Sequence, residues 1–408
     1  MKSPLDGIRV IDWTQWQMGP VSTVMLGDLG ADVIKIEHRV SGDNGRGAIR
    51  VLGILTGAAG RNFYFEANNR NKRSITLDLN KKKAKEIVYQ LVRKSDVFVQ
   101  NFRQGVAERL DLGYDDLKKY NSNLVYVQGS GFGPKGPESG EPAFDYLGLA
   151  RSGAMMSVAV PTEDTPPTNI MGGIADQMGA IMMAYGAIVA LLARERFGEG
   201  QKVDVSHLGS MLWLFGLNVH QALILGKEMP RCQPRTKVGN PLWNHYLCAD
   251  GKWLALGCFQ PDRVWGDVCR ALGLQHLEHD PRFENQDVRA QHSGELIPVM
   301  DQVFVTKTRD EWLRIFKETS KDIVCTRVNS ISDLVNDIQV LANDYIVDFN
   351  HPAWGRVKVV GIPVQLSKTP GRIQREAPEF GQHTEEVLHE ILGYNWDEIA
   401  KLRDEEVI

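Results

Sequence analysis

One aspartate lies at the start of the longest apolar stretch of the chain. Residues 172–179 read Gly-Gly-Ile-Ala-Asp-Gln-Met-Gly, so two glycines lead into an apolar helix with Asp176 in its first turn. A helix N-terminus favours an ionised carboxylate, and glycines let a substrate approach the backbone closely. This suits a carboxylate nucleophile beside N–H groups that stabilise an oxyanion. An aspartate there is more often a helix cap, so residue types alone leave both roles open.

A second motif is rich in glycine. Residues 129–134 read Gly-Ser-Gly-Phe-Gly-Pro after a predicted strand. A dinucleotide-binding fingerprint needs its last glycine to open a helix that meets the pyrophosphate. Here Pro134, Gly136 and Pro137 follow, which predicts a loop and argues against NAD or FAD. The chain also has no Walker A sequence, so a P-loop ATPase is not supported.

Basic residues cluster between positions 39 and 73. Seven arginines or lysines stand there against two acids, Asp43 and Glu66, although the whole chain has a net charge of −4. The basic residues are Arg39, Arg46, Arg50, Arg61, Arg70, Lys72 and Arg73. At the carboxyl ends of parallel strands such a cluster suits a phosphate-bearing ligand, and elsewhere it is a solvated surface; both interpretations stay open. The slightly acidic chain argues against nucleic-acid binding.

Composition predicts a soluble, multidomain chain. Of its 408 residues, 43% are hydrophobic and 24% are charged, which suits two or three globular domains. The first residues lack the apolar core of a signal peptide. The apolar run 178–193 is shorter than the roughly 20 residues of a membrane span, so we expect a buried core helix, no membrane and a cytoplasmic location. Five cysteines without a C-x-x-C pair, and scattered histidines, predict reduced thiols and no metal site.

The predicted elements alternate between strands and helices. Strands are expected at 7–13, 32–37, 73–79, 96–100, 124–129 and 202–205, and helices at 21–30, 83–94, 176–196 and 209–223. This order predicts an α/β fold with a parallel, Rossmann-like sheet. After residue 226 the chain becomes polar, with Pro and Gly, and residues 247–328 resemble a smaller α+β unit. Gly226–Asn244 is therefore a candidate domain crossing or active-site cover.

Short motifs along nearly the whole chain share one resemblance. They are Pro4–Val10, Gly19-Pro20, Leu29–Glu37, Gly42-Asp43, Asn71–Ile75, Val99–Arg103, Gly198–Val205 and Gly381–Glu385. In this order and spacing the chain resembles class III (family III) CoA-transferases, the family of formyl-CoA transferase and carnitine CoA-transferase. The resemblance implies an enzyme that moves CoA between two carboxylic acids, with CoA or acyl-CoA as a substrate and no permanently bound cofactor.

The resemblance also implies roles for particular residues. The catalytic aspartate of the family follows a Pro-Pro stretch, as Asp176 follows Pro166-Pro167, although Ala175 replaces the usual glycine. Gln17 matches a polar residue that faces this carboxylate. The implied CoA-binding residues are His38, Arg39, Lys72, Arg73, Leu77, Asn101, Phe102 and Arg109.

Related α-methylacyl-CoA racemases share the fold but carry a His-Asp pair after the glycine- and proline-rich loop that begins in the 129–134 motif. Here Phe144-Asp145 stands at that place. Phe144 cannot act as a general base, which favours a transferase, and Asp145 is counted with the predicted catalytic residues. A racemase-like isomerase and a subunit of a hetero-oligomeric transferase stay open as alternatives.

The implied architecture has two domains. A large CoA-binding domain comprises residues 1–225 and 335–408, a small α+β domain comprises residues 226–334, and two chains form an interlocked homodimer. The consecutive glycines that formyl-CoA transferase carries in its small domain are missing, because the chain reads Val-Gly-Asn-Pro at 238–241. This departure suggests an acid larger than formate or oxalate, and we expect a medium or aromatic carboxylate with succinyl-CoA as donor.

Overall fold

A computed structural model describes residues 2–47, 50–51, 54–55, 57–58, 61–158, 167–170, 172–228 and 233–408. The chain forms two compact units. The large unit comprises residues 1–156, 168–229 and 344–408, and the small unit comprises residues 157–167 and 230–343. Sequence analysis placed the boundaries after residues 225 and 334, whereas the compact units divide after residues 229 and 343. Both the first and the last part of the chain belong to the large unit.

The centre of the large unit is a six-stranded sheet. Its strands are β1 (Arg9–Trp13), β2 (Asp32–His38), β3 (Lys72–Leu77), β4 (Val97–Gln100), β5 (Val125–Ser130) and β6 (Lys202–Ser206). Their order is β6-β5-β4-β1-β2-β3, and every neighbouring pair is parallel. The predicted α/β fold with a parallel, Rossmann-like sheet is confirmed. The strand order reverses between β1 and β4, and α/β sheets bind ligands at the carboxyl ends of such strands.

Helices cover both faces of this sheet, because successive strand residues point to opposite sides. Val10 of β1 packs in one buried cluster with Val97 and Met183, whereas Ile11 packs in another with Phe98 and Leu91. The described helices of this unit are Met18–Asp28, Phe63–Asn69, Lys82–Arg93, Val106–Arg109, Tyr114–Leu117, Asp145–Arg151, Ala154–Ser157, Ile174–Phe197, His207–Leu214, Gly216–Leu225, Thr384–Glu390 and Trp396–Asp404. Short strand pairs are Arg50–Val51 with Ile54–Leu55, Gly57–Ala58 with Arg61–Asn62, and Ile346–His351 with Gly355–Val360.

The longest helix, Ile174–Phe197, was expected to be a buried core helix. Its length and hydropathy would allow it to cross a bilayer. In the structure one face packs against β5, β6 and the helix Met18–Asp28. The opposite face exposes Ile181, Tyr185, Val189 and Leu192. The core prediction is therefore correct for one face only.

The helix predicted at 209–223 is two helices. His207–Leu214 and Gly216–Leu225 meet at Phe215 with a bend of 79°. The first begins earlier than expected because the Ser206 hydroxyl accepts a hydrogen bond from the Gly209 N–H and caps it. This early start places His207 in the first helical turn.

The last part of the chain covers the edge strand β3. The His383 N–H donates to the Ser74 carbonyl, and the Thr76 N–H donates to the Thr384 hydroxyl. Further along, the Asp78 N–H donates to the Val407 carbonyl. These bonds satisfy backbone groups that an uncovered edge strand would expose.

The small unit has a three-stranded antiparallel sheet, Trp243–Leu247, Trp253–Gly257 and Cys325–Val328. Its α-helices are Pro261–Leu272, Gln286–Gln291, Ser293–Phe304, Arg309–Thr319 and Ile338–Ala342, with 3-10 turns at Arg235–Lys237, Gln275–Leu277 and Ser332–Asn336. The helix Ser293–Phe304 contains Pro298, although an internal proline normally ends a helix. Cys248, Cys258 and Cys269 are buried free thiols and Cys325 is partly buried; Cys232 lies outside the described residues.

Candidate active site

A cavity of about 360 Å³ opens where β1, β4 and β5 end. Asp176 lies in its lining, together with residues of the three loops that follow these strands. The lining includes Gln15, Trp16, Met18, Asn101, Phe102, Arg103, Gly129, Gly131, Phe144 and His207. The predicted glycine loop after β5 therefore forms part of this cavity, at the place where an α/β sheet binds its ligand.

Asp176 does not cap its own helix. Gly173 is the N-cap residue, and Gly172 and Gly173 have φ angles of +97° and +71°, which glycine tolerates best. The Asp145 carboxylate caps the helix instead, because its Oδ1 accepts hydrogen bonds from Ala175 N at 2.6 Å and Asp176 N at 3.0 Å. The alternative that Asp176 is an ordinary cap is therefore excluded.

Asp145 thus has a different position from the one its predicted catalytic role requires. One oxygen is bound to two backbone N–H groups, and Asp145 is absent from the residues that line the cavity. Burial raises the pKa of Asp145 and the nearby Asp176 charge adds to this rise, although the two backbone hydrogen bonds oppose it. We correct its role to holding the backbone at the start of the helix that carries Asp176.

The side chain beside Asp176 is His207, which sequence analysis missed. His207 Nε2 lies 2.8 Å from Asp176 Oδ1, and the residue is almost completely buried. The available signal was its place directly after β6, since residues at the carboxyl ends of neighbouring parallel strands meet at one edge. The sequence predicts this helix only from residue 209, which places His207 before it, whereas the helix begins at His207.

The loop after β1 carries the predicted residue Gln17. Its side-chain amide lies against Gly173, where a Cβ atom would come within 2.5 Å of Gln17 Nε2. Gln17 therefore contacts the turn that begins the helix Ile174–Phe197. The preceding Trp16 has a φ of +67°, a strained conformation for a bulky residue, and its ring packs edge-on against Phe144 at 5.9 Å.

A buried network of four charges holds this strained loop. Lys72 pairs with Asp12, Lys35 pairs with Asp43, and both N···O distances are 2.8 Å. Asp43 Oδ1 accepts a hydrogen bond from Trp16 N. Burial lowers the pKa of Lys72 to about 8, even though the Asp12 carboxylate opposes the shift. The network links the core of the sheet to the wall of the cavity.

Two predicted CoA-binding residues follow β4. The Asn101 side chain exchanges two hydrogen bonds of 2.9 Å with the Gln15 backbone, so it fixes the loop after β1. Phe102 lines both the main cavity and an adjoining cavity of about 160 Å³. The second cavity is also lined by His38 and Leu77. The two cavities share Gln15 and Phe102 in their linings, and we call them together the groove. Asn101 and Asp176 line its larger part, and His38 and Leu77 line its smaller part.

The basic cluster does not form a free cationic surface. Its charges pair with carboxylates in Arg39–Glu406, Arg46–Glu37, Arg61–Glu66, Arg70–Asp28, Lys72–Asp12 and Arg73–Asp32. The Arg50 side chain lies outside the described residues. Lys72 is completely buried, and Arg39 also donates to the Ile408 carbonyl. The predicted CoA contacts of Lys72 and Arg73 are therefore corrected. The Arg39 side chain is 27% exposed in its ion pair with Glu406, so its predicted CoA contact stays a prediction.

Arg109 and Arg103 occupy different places. Arg109 ends the short helix Val106–Arg109 and is absent from the lining of both cavities, so its predicted CoA contact has no support in this geometry. Arg103, which sequence analysis did not select as a site residue, lies exposed at the main cavity. It supplies an arginine guanidinium to the lining of the described cavity.

Tyr64 also belongs to the electrostatic surroundings of Asp176. Burial raises the pKa of its hydroxyl, and the carboxylates of Asp176, Asp43 and Asp145 raise it further. Tyr64 therefore keeps its proton at neutral pH and remains a hydrogen-bond donor. Within the described ranges no group of three His, Cys, Asp or Glu side chains is arranged to hold a metal ion.

Two parts of the predicted site lie outside the described residues. They are Pro166 of the Pro-Pro stretch, and residues 229–232 of the proposed cover. Trp243, at the end of the proposed cover, is an exposed residue of the small unit. Trp13, by contrast, is buried against Phe102 at a ring distance of 4.3 Å and lines the smaller cavity. The aromatic wall of the described groove thus comes from the large unit.

This groove lies beside a histidine-bonded carboxylate, at the switch point of a parallel sheet. Comparison with known proteins gives the class of this protein. The model of CoA-transferase family III matches residues 5–384, and the chain belongs to this family of CoA-transferase enzymes, as its motifs predicted.

Individual relatives match over nearly their full lengths. The chain is 31% identical to (R)-2-hydroxy-4-methylpentanoate CoA-transferase of Clostridioides difficile, covering 99% of each chain. It is also 31% identical to succinyl-CoA–D-citramalate CoA-transferase of Chloroflexus aurantiacus, covering 99% of this chain and 98% of the relative. A CAIB/BAIF family protein from Brucella suis has a similar crystal structure, with a TM-score of 0.83, 26% identity, and 96% and 100% of the two chains covered.

Proposed function

We propose that this enzyme moves CoA from an acyl-CoA donor to a carboxylic acid acceptor, with the Asp176 carboxylate as a covalent nucleophile. One observation carries the proposal. Asp176 faces the cavity and is free of the capping role, while Asp145 holds the backbone beneath it. A carboxylate fixed in this way meets the requirement for nucleophilic catalysis, since the reacting atom is positioned before the substrate binds.

Four substitutions complete the proposed cycle. An Asp176 oxygen attacks the donor thioester carbonyl, the C–S bond breaks, and CoA thiolate leaves a mixed aspartyl anhydride. The thiolate attacks the aspartyl carbonyl, which expels the donor carboxylate and leaves an aspartyl-CoA thioester. The acceptor carboxylate then attacks this thioester, and the released thiolate takes the acceptor acyl group from the second anhydride. Protons are neither gained nor lost, so the cycle needs no general acid or base.

We place CoA along the groove that joins the two cavities at Phe102. The adjoining cavity, lined by His38, Leu77 and Phe102, would receive part of the CoA chain while its thioester reaches Asp176. Arg103 is the cation we assign to a phosphate of CoA, because the guanidiniums of the basic cluster are paired elsewhere. Hydrolysis competes with transfer at every intermediate, so water must be excluded; Gly226–Asn244 remains our candidate cover.

Succinyl-CoA is our proposed donor, and a medium or aromatic acid is our proposed acceptor. A relative named for succinyl-CoA and D-citramalate supports the donor. The relative named for (R)-2-hydroxy-4-methylpentanoate supports an acceptor larger than formate. The aromatic rings of Trp16 and Phe144 in the cavity lining give such an acid an apolar surface.

Substitution of Asp176 tests the mechanism. Asp176→Asn should lower transfer by several orders of magnitude without unfolding the protein, whereas Asp115→Asn, at an exposed aspartate, should change nothing. Incubation of the wild type with succinyl-CoA and hydroxylamine should convert Asp176 to a hydroxamate, detected as a mass change on its peptide. An active Asp176→Asn variant, together with an unlabelled wild-type peptide, would exclude covalent catalysis by this residue.

A racemase-like isomerase is the second candidate, because His207 supplies an imidazole beside Asp176. Such an enzyme would exchange deuterium at the carbon next to the thioester, whereas a transferase would move labelled CoA between two acids. A role as one subunit of a hetero-oligomer is the third candidate, since two relatives are named the alpha and beta subunits of succinyl-CoA–L-malate CoA-transferase. Transfer by the purified single chain would exclude this third candidate.

We further propose that the enzyme is a homodimer, interlocked as in its family, and cytoplasmic. The exposed apolar residues Tyr185, Leu192, Trp213 and Leu217 support a dimer, since a large apolar surface on a soluble protein usually binds a partner. Analytical ultracentrifugation should show a dimer at micromolar concentration, and a stable monomer would contradict the proposal.

A further inference from the structure

His207 is a buried side chain that the proposed cycle does not yet use. It follows β6 directly and begins the helix His207–Leu214. Its position is closely fixed, because a Cβ atom at Gly148 would come within 2.5 Å of the His207 Cβ. Its Nε2 lies 2.8 Å from Asp176 Oδ1. The imidazole therefore contacts the carboxylate that reacts in the proposed cycle.

The hydrogen-bonding pattern identifies the proton on this ring. An ionised Asp176 can only accept a hydrogen bond, so Nε2 must donate. Nδ1 is buried and has no hydrogen-bond partner among the described residues. Among the described residues the ring therefore makes its hydrogen bond to Asp176 through Nε2, and the proton of that bond lies on Nε2.

This donor has no proton-transfer task in CoA transfer, because the cycle neither takes up nor releases a proton. Negative charge does build up on an Asp176 oxygen in two of the four substitutions. When thiolate attacks the mixed anhydride, or the acceptor attacks the aspartyl-CoA thioester, the aspartyl C=O electrons move to its oxygen. The charge returns to the C=O bond when the leaving carboxylate or thiolate departs.

We propose that His207 is a catalytic residue of the transfer reaction. Its Nε2–H donates a hydrogen bond to the oxyanion that forms at the aspartyl carbonyl. The proposal rests on the covalent role of Asp176. With Asp176 Oδ2 as the attacking oxygen, Oδ1 remains bonded to His207 and becomes the oxyanion in both substitutions at the aspartyl carbon. As charge localises on one oxygen, the hydrogen bond to that oxygen shortens. A preorganised N–H group therefore stabilises the oxyanion more than it stabilises the resting carboxylate.

Single-turnover kinetics test this role. Each protein is mixed with succinyl-CoA alone, quenched in acid and measured by intact-protein mass spectrometry for the aspartyl-CoA adduct. His207→Leu should form the adduct about 10²- to 10³-fold more slowly, the usual effect of removing one oxyanion donor. His207→Gln, which offers an amide N–H of similar reach, should recover at least about tenfold of this loss. The exposed His279→Leu control should react at the wild-type rate.

Succinyl-CoA affinity and thermal stability separate catalysis from structure. Both should remain near wild type in His207→Gln, where the adduct rate changes. Adduct formation at the wild-type rate in His207→Leu would overturn the proposal, and so would equal losses in the Leu and Gln variants. A wild-type enzyme that forms no adduct, or an active Asp176→Asn variant, would instead refute the covalent role of Asp176 and leave a distinct pattern.

Discussion

The cap supplied by Asp145 gives the sharpest test of how the site is built. Asp145→Ala removes the acceptor for two backbone N–H groups at the start of the helix Ile174–Phe197. A hydrogen bond to a charged group contributes about 1.5–3 kcal/mol, and loss of a helix cap costs about 0.5–2 kcal/mol. Because Asp145 is only half-buried and water can replace part of the interaction, we expect the free energy of unfolding to fall by about 2 kcal/mol.

Asp145→Ala should also affect catalysis, because one of the two freed N–H groups belongs to Asp176 itself. A displacement of the reacting carboxylate by about 1 Å costs on the order of 100-fold in rate. We therefore expect CoA transfer to fall about 10- to 100-fold, with a melting temperature lower by roughly 3 °C. Differential scanning calorimetry and a coupled transfer assay measure the two effects on the same preparations.

Asp145→Asn is the matched control. Asparagine keeps a side-chain oxygen that can accept both hydrogen bonds, and Asn and Asp cap helices about equally well. This variant should stay within about 0.5 kcal/mol of wild-type stability and keep most of its activity. A loss of transfer as large as that of Asp145→Ala, at unchanged stability, would show that the charge of Asp145 takes part in the chemistry and would refute its assignment as a backbone anchor.

Three further predictions concern the groove and its charged surroundings. Phe102→Ala should weaken CoA binding about tenfold, or about 1.4 kcal/mol, while Arg73→Ala leaves it unchanged. Isothermal titration calorimetry measures both affinities, and the opposite pattern would restore the basic cluster as the binding site. Lys72→Met leaves Asp12 buried without its partner and should cost about 3–5 kcal/mol in chemical denaturation, and a neutral effect would contradict the buried pair. Burial raises the pKa of Glu37, but the Arg46 guanidinium, the Lys35 charge and the Ser74 hydroxyl together outweigh burial and lower the pKa below its ordinary value of 4.5. The contribution of Glu37 to stability is therefore present above pH 4.5 and is lost as the pH falls through its lower folded-state pKa. The melting temperatures of wild type and Glu37→Gln should converge in acid. A difference that stays constant with pH would contradict the lowered pKa.

The sequence predicted the sheet because its strands are short, apolar and separated by amphipathic helices. Val97–Gln100, for example, is buried on both faces and has no other plausible environment. Sequence spacing could not predict pairings between distant residues. Arg73 meets Asp32 and Glu386 only through the fold, so a local count of charges overstated the basic character of the groove.

In the candidate site, too, local features could be predicted from the sequence and contacts between distant residues could not. Asp176 was identified because glycines and an apolar helix flank it in sequence. The assignment of its cap to Asp145 and its hydrogen bond to His207 depended on which strand ends meet, and no local pattern encodes this. The strained φ of Trp16 was also invisible, since it follows from a hydrogen bond to Asp43, itself held by Lys35.

The large unit is built from the first and the last part of the chain, and this has a consequence for biosynthesis. Residues 230–343 leave the ribosome before the segment that carries His383 and Thr384, so the small unit can fold first. Until that segment arrives, the backbone of β3 lacks its partners at Ser74 and Thr76. An edge strand in this state can pair with another nascent chain, so β3 is open to such pairing while residues 78 to 383 are being translated.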